Sequence, residues 1–212
     1  MKKLAMAVLL VSLLNACSYS IKFDPQDVQK LSSAPQKFNN LIAILASYSD
    51  NTVYESTAPG LQDIIETSNE EDRINFQNRL REIDLFTNVG NEGEFLGSTK
   101  KLKFDVKVDR VFNGHWGANS FRSVGIILTL GLLGPFMEAE VDIQETIKAT
   151  ATKWDSTTKT YSSSSSMNLT FNPFYEVRPV IRNNLHKHVH ERNTSSIMNQ
   201  IVADQEFFKN HH

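Results

Sequence analysis

Histidines near the C-terminus, a run of serines and a lone cysteine are the residues of this chain whose type and spacing invite chemistry. His186, His188 and His190 alternate, with Glu191 beside them and His211 and His212 at the end. On a helix His186 and His190 stand one turn apart on a shared face, the geometry in which a helix offers two imidazoles to zinc. The metalloprotease form of that signature needs a glutamate directly after the first histidine, and Lys187 stands there. His188 would point to a different face. The spacing is read as a solvated, His-rich helix face, and no metal or cofactor is assigned. Five consecutive serines, Ser162 to Ser166, sit in low-complexity surroundings unsuited to holding a nucleophile. The sequence contains no nucleophile elbow, phosphate-binding loop, dinucleotide fingerprint or paired-carboxylate motif. His115 and Trp116, within Asn113-Gly114-His115-Trp116-Gly117, read as a packed turn with an aromatic anchor. No catalytic residue is predicted.

Cys17 is the single cysteine among the 212 residues, which removes a disulfide within the chain and a Cys-based zinc site from consideration. It follows Lys2, Lys3 and an uncharged apolar run from Leu4 to Leu14, closed by Asn15 and Ala16. A charged start, a short apolar stretch and a small residue before a cleavage point make a signal sequence. The apolar run is about half of the ~20 residues that a helix needs to cross a bilayer. Leu14-Asn15-Ala16-Cys17 resembles the lipobox of bacterial lipoproteins, with Asn15 departing from the small residue usual at its place. That resemblance implies cleavage before Cys17 and a diacylglyceryl group on its thiol, each buried methylene contributing ~0.8 kcal/mol to anchorage. Ser18, where an aspartate would signal retention in other lipoproteins of Gram-negative bacteria, implies delivery to the outer membrane, facing the periplasm. The predicted division is a signal peptide over 1–16, a flexible tether over 17–40 and one domain over 41–212.

The elements that must position these residues follow from composition and periodicity. The hydrophobic fraction is 40%, enough for an ordinary core. Without Lys2 and Lys3, 20 basic residues face 24 acidic ones, so no basic surplus points to nucleic acid. Leu41 to Ala46 reads as a strand buried on both faces, ended by Ser49-Asp50-Asn51. Leu61, Ile64 and Ile65 share a helical face. Ser68 with Glu71 forms a capping box for a second helical stretch carrying Phe76, Leu80 and Ile83. Leu102, Phe104, Val106 and Val108 alternate with charged residues as a strand with one wet face. A second long strand over about 139–154 and a return over 159–171 make a hairpin about Asp155-Ser156-Thr157-Thr158. The serine run then becomes a polar edge strand or a bulge. Helices carrying Ile197, Ile201 and Phe208 close an α+β fold, a single domain with a mixed or largely antiparallel sheet and helices on one side.

Strand, helix ending in Ile83-Asp84-Leu85-Phe86-Thr87-Asn88-Val89, then alternating strand resembles the α/β unit of several envelope lipoproteins and periplasmic accessory domains. Among them are the curli secretion lipoproteins and the amino-terminal domain of the Tol propeller proteins. The resemblance spans roughly residues 41–108 and implies service to larger envelope assemblies, with no catalytic residue to carry over. Val124 to Met137 is uncharged and broken by Gly125, Gly131, Gly134 and Pro135. It is compatible with a buried strand and tight turn, with an exposed apolar loop, or with a piece of an oligomeric barrel. As a loop it would present Ile126, Ile127, Leu128, Leu130, Leu132, Leu133 and Phe136 to a partner or to a membrane.

The expectation is therefore a lipid-anchored, periplasm-facing protein that binds rather than catalyses, as an accessory or scaffold part of an envelope assembly or transport complex. Its partners would be the membrane, through the lipid, and an envelope protein; nucleic acid is excluded. The alternatives are a hydrolase of the cell wall or another envelope polymer, and a periplasmic protein binding metal through His186 and His190.

Overall fold

Long alternating sequences meet long strands. In a computed structural model, residues 20–23, 30–35, 37–55, 69–95, 100–115, 139–171 and 185–209 are described. They form six strands, β1 (Ser20–Phe23), β2 (Phe38–Glu55), β3 (Phe86–Asn91), β4 (Lys101–Asn113), β5 (Ala139–Thr152) and β6 (Thr158–Phe171). Three helices accompany them, α1 (Asn69–Glu82), α2 (Glu191–Ala203) and the short α3 (Gln205–Phe208), with a π-helical turn over Leu185–His190 leading into α2. The strands make one sheet in the order β1-β6-β5-β4-β2-β3. β2 runs parallel to both β3 and β4, and every other pair is antiparallel. α1 lies against β2 and β3, α2 against β5 and β6, and the two helices touch each other. The fold is α+β, one domain, with a mixed sheet whose helices cover one face. Among the described residues no helix is long and apolar enough to cross a membrane.

Inward positions repeat every second residue, as a pleated strand requires. On β4 they are Leu102, Phe104, Val106, Val108, Arg110 and Phe112; on β5 they are Val141, Ile143, Glu145, Ile147, Ala149 and Ala151; all are buried. α1 supplies Phe76, Leu80 and Ile83, at helical spacing, and α2 supplies Ile197, Met198, Ile201 and Val202. α1 starts with Glu70, Glu71 and Asp72 and ends with Arg79 and Arg81, each sign facing the helix dipole that favours it. Just past it Asp84 has a φ of 51°, a left-handed turn into β3. The β5–β6 hairpin is in continuous register from Ala139 opposite Phe171 to Thr152 opposite Thr158, and Ser156 (φ 66°) turns it.

Two departures from the sequence reading, and the choice between its two readings of the serine run, have physical reasons. β2 does not stop at Ser49. It slips register between Leu45 and Ser47, and the extra residue exchanges the two faces of the strand, so that Tyr48, Asp50, Thr52 and Tyr54 continue the inward row. The serine run is not bulged, since its register with β5 is unbroken. Only Met167 to Thr170 of β6 gain a second neighbour, β1. Part of the predicted tether is built into the domain. Ser20–Phe23 pairs with β6, and beyond it Leu31, Ala34 and Phe38 pack against the core. The Ala34 and Phe38 amides donate to the Ile83 and Leu85 carbonyls at 2.9 and 3.0 Å. Leu61, Ile64, Ile65 and the helix cap at Ser68 fall outside the described residues, as do Cys17 and the segment carrying Ile126, Ile127, Leu128, Leu130, Leu132, Leu133 and Phe136.

At one glycine a side chain would have to displace its neighbours. Gly90 sits opposite Ile44 on β2, and a β-carbon there would come within 2.6 Å of the Phe95 ring and closer still to the Glu94 carboxylate. Gly90→Val should therefore lower stability by about 1–3 kcal/mol, the usual cost of overpacking. Chemical denaturation checks this, and an unchanged midpoint would mean that the turn over 91–95 swings away freely.

Candidate functional site

The inward rows of β4 and β5 each carry one charged residue. Arg110 and Glu145 are directly opposite in the antiparallel register. Around them the fold gathers Asp50 from β2, placed inward by the register slip, Asp72 from the first turn of α1, and His190 and Asn193 from the start of α2. The Arg110 guanidinium donates through Nε to Glu145 Oε2 at 2.7 Å, through one terminal nitrogen to Asp50 Oδ2, and through the other to Asp72 Oδ2 at 2.5 Å. The side chains of Arg110, Asp72, Glu145 and His190 are 0% exposed and that of Asp50 is 4% exposed. Asn193 Nδ2 donates to Glu145 Oε1 at 3.0 Å and to its carbonyl at 3.2 Å. His190 Nδ1 lies 3.1 Å from Glu145 Oε2 and 3.3 Å from an Arg110 nitrogen, and Nε2 faces Asp72 Oδ1 at 3.9 Å.

Burial works against every charge in this set, and the partners outweigh it for three of them. Burial alone would raise the Glu145 carboxyl, but the charge and hydrogen bond of His190, with Arg110 and Asn193, hold it down at about 2. Burial alone would lower Arg110, yet the charges of Glu145, Asp72 and Asp50 hold it above its usual value. His190 is likewise pulled down by burial and raised overall by the charge of Glu145, its hydrogen bond and Asp72. The Tyr48 phenol is pushed up, first by burial and then by the charge of Asp72. Its hydroxyl is buried and has no hydrogen-bond partner among the described residues. With Arg110 and His190 protonated, three carboxylates meet two cations.

Chemically the set is a tie between elements. A guanidinium remains protonated throughout the biological range and offers no base. The carboxylates that could act as acid or base are sealed from solvent and directed at it. A fivefold donor occupies the place where a cation would sit, and among the described residues no group of three His, Cys, Asp or Glu side chains is arranged to hold a metal ion. The price of desolvating such a set is several kcal/mol per ion, so its members are held for mutual satisfaction rather than for raw stability.

The structure places the residues singled out by the sequence differently from expectation. His190 is fully buried in the cluster, so the solvated histidine face does not include it. The His186 side chain lies outside the described residues, and His188 is half-buried. His115 pairs with a carboxylate outside the cluster. Its Nε2 is 2.5 Å from Asp142 Oδ2, while Asn168 donates to the other oxygen of that carboxylate at 2.7 Å. Sequence reasoning missed Asp50, Asp72, Arg110, Glu145 and Asn193. A signal existed for two of them, because Arg110 and Glu145 stand at core-phase positions of otherwise apolar alternations, where an ion needs a partner.

No family model matches this chain, and no curated protein does. Among solved structures, a protein of Xanthomonas campestris described by the family DUF330 is similar over 90% of this chain and 98% of its own, at 10% identity and a TM-score of 0.31. A likeness that loose carries no argument.

Proposed function

We propose that this chain is a lipid-anchored lipoprotein of the outer membrane, facing the periplasm, that works by binding as an accessory or scaffold component of an envelope assembly or transport complex. The observation that supports the reading best is the register at one end of the sheet. Ser20 pairs with Thr170 and Thr170 with Glu140, one row in from the last pair of that end, Ala139 with Phe171. Three peptide units separate Ser20 from Cys17, at most about 11 Å of extended chain. The two strand ends that flank the apolar segment, Asn113 of β4 and Ala139 of β5, lie at this same end, as does Glu55 of β2 opposite Asn113. Ser20 and the strand ends that flank the segment carrying Ile126, Ile127, Leu128, Leu130, Leu132, Leu133 and Phe136 thus share one end of the sheet, which favours a lipid on Cys17 and the apolar segment acting toward one surface. On the face away from the described helices, Val53 stands beside Val111 and is 43% exposed. A polymer hydrolase would need carboxylates converging on an open cleft, whereas those that converge in the described residues do so around Arg110, out of water.

The test is made on the full chain in cells. Cys17→Ala should abolish incorporation of labelled palmitate and move the protein from the membrane fraction to the soluble one. Leu130→Asp combined with Leu132→Asp should leave the protein folded and on the membrane but remove its crosslinks to neighbours. An unmodified thiol on the wild-type Cys17 would end the anchoring part of the proposal. Global unfolding of the double variant would make the apolar segment core and end the docking part.

A further inference from the structure

The position of His190 between an arginine and two carboxylates has a consequence independent of how the chain is anchored. Nδ1 faces both Glu145 Oε2 at 3.1 Å and an Arg110 nitrogen at 3.3 Å, and Nε2 faces Asp72 Oδ1 at 3.9 Å. A neutral ring has a proton on one nitrogen only. With the proton on Nε2, the Nδ1 lone pair can accept from the Arg110 nitrogen but stands 3.1 Å from the Glu145 carboxylate with no proton between them; with the proton on Nδ1, the Nε2 lone pair is directed at Asp72. Only the imidazolium presents a proton to both carboxylates. We propose that His190 is a proton-gated latch for α2, closed while the ring is charged and released when it loses its proton, which uncovers the apolar face beneath the helix.

The surroundings of the ring account for the direction. Among the described residues, the ionisable groups that act on the ring are Glu145 from β5, Asp72 from α1 and Arg110 from β4, with Asp50 and Tyr48 of β2 in the same cluster, while β6 contributes the uncharged Ser163 and Ser165, bonded to Asn193 and to the Val189 carbonyl. On its own side of the latch, Glu191 and Arg192 follow at the start of α2, both half-buried. Removing the His190 proton leaves three carboxylates against one guanidinium in a dry site, where unbalanced charge is costly. His190 is the residue immediately before α2, and the helix is held beyond it by Ile197, Met198, Ile201 and Val202, which pack into the same core as Tyr161 and Ala149. A π-helical turn, which has one residue more per turn than an α-helix and recurs where helices are functionally adjusted, joins the latch to the preceding chain.

The sign follows from linkage. The folded His190 titrates above its ordinary value of 6.5, so its contribution is complete below that pH and is lost as pH rises toward the folded value. Opening of α2 should become up to about tenfold more favourable per pH unit above 6.5, until the folded ring itself titrates. The experiment is hydrogen exchange of the full chain from pH 6 to pH 9, corrected for intrinsic rates, with the imidazole proton resonance followed by NMR in the same samples. Amides of residues 191–203 should lose protection progressively while those of β4 keep theirs, and the His190 resonance should have its midpoint above 6.5. His190→Gln should show weaker protection of α2 with no dependence on pH. Constant protection of α2 in the wild type, or a midpoint at or below the ordinary histidine value, would overturn the latch whether or not the variant folds. A pH dependence that survives in His190→Gln would overturn it as well.

Discussion

Arg110→Met is expected to destabilise the domain by about 3–5 kcal/mol, the cost of breaking a buried ion set by removing one partner. The loss comes from what is left behind. Arg110 supplies hydrogen bonds to Asp50, Asp72 and Glu145, which lie on three different elements and are essentially out of solvent. Without it, three carboxylates share one site with His190 as the only cation among the described residues, and the mutual repulsion is relieved by protonating a carboxyl, admitting water or moving α1. Methionine fills much of the space, so the cavity part of the penalty is small and the measured loss reports charge. Arg110→Lys should recover only part, because an ammonium is a point charge without the planar fork that reaches three acceptors at once. Replacing Arg110, Asp72 and Glu145 together by apolar residues of similar volume should be far milder than the single change, in line with buried ion sets that are neutral or destabilising relative to hydrophobic packing. Urea denaturation at neutral pH, with midpoint and slope both recorded, distinguishes these cases. A loss below about 1 kcal/mol for Arg110→Met, the range of an exposed ion pair, would show that water already screens the cluster.

What the sequence made legible, and what it hid, divides along the range of the forces involved. Period-two alternation is local, and it located the strand over Leu102 to Val108 and both arms of the β5–β6 hairpin. Helical spacing is local too, and Phe76, Leu80, Ile83, Ile197, Ile201 and Phe208 are all buried where that spacing puts them. Leu41 to Leu45, read as buried on both faces, is buried at every position of an interior strand. The cluster, by contrast, joins Asp50, Asp72, Arg110, Glu145 and His190, which no local period connects. A single extra residue in β2 decides whether Asp50 faces the core, and such a slip leaves no compositional mark. Serine-rich and proline-containing stretches look alike whether they trail in water or add a strand to an edge, which is why the sequence alone assigns Ser20–Phe23 to a tether. The histidine spacing misled for a related reason. A helical face can be inferred from spacing, but which face meets a buried carboxylate depends on the register of strands 45 and 80 positions away from His190 in the chain.

Phe104→Ala should cost about 3–5 kcal/mol, the range for deleting a fully buried aromatic ring, and should do so at the opposite side of the core from the charge cluster. Phe104 is 0% exposed and meets Phe86 edge-to-face, with ring centroids 6.0 Å apart and planes at 72°. Phe86 in turn meets Phe208 at 5.9 Å and 88°, and Phe208 meets Phe207 at 5.1 Å and 84°. Lys153, in the β5–β6 turn, lies over Phe207 with its ammonium 5.4 Å from the ring centroid. One ring thus stands at the root of a series that fixes an edge strand, the short α3 and the hairpin turn. Removing it leaves a cavity that Phe86 can fill only by tilting away from Phe208, so part of the loss should appear as loosening of α3, which has four residues and little helical stability of its own. Limited proteolysis should therefore cut Phe104→Ala near residues 204–209 before the rest of the chain opens, while Phe208→Ala should loosen the same segment at a smaller global cost, because an end segment can shift to close the space it leaves. Equal midpoints for the two variants would mean that Phe208 is as much a part of the central core as Phe104, and that the C-terminal turn unfolds only with the whole domain.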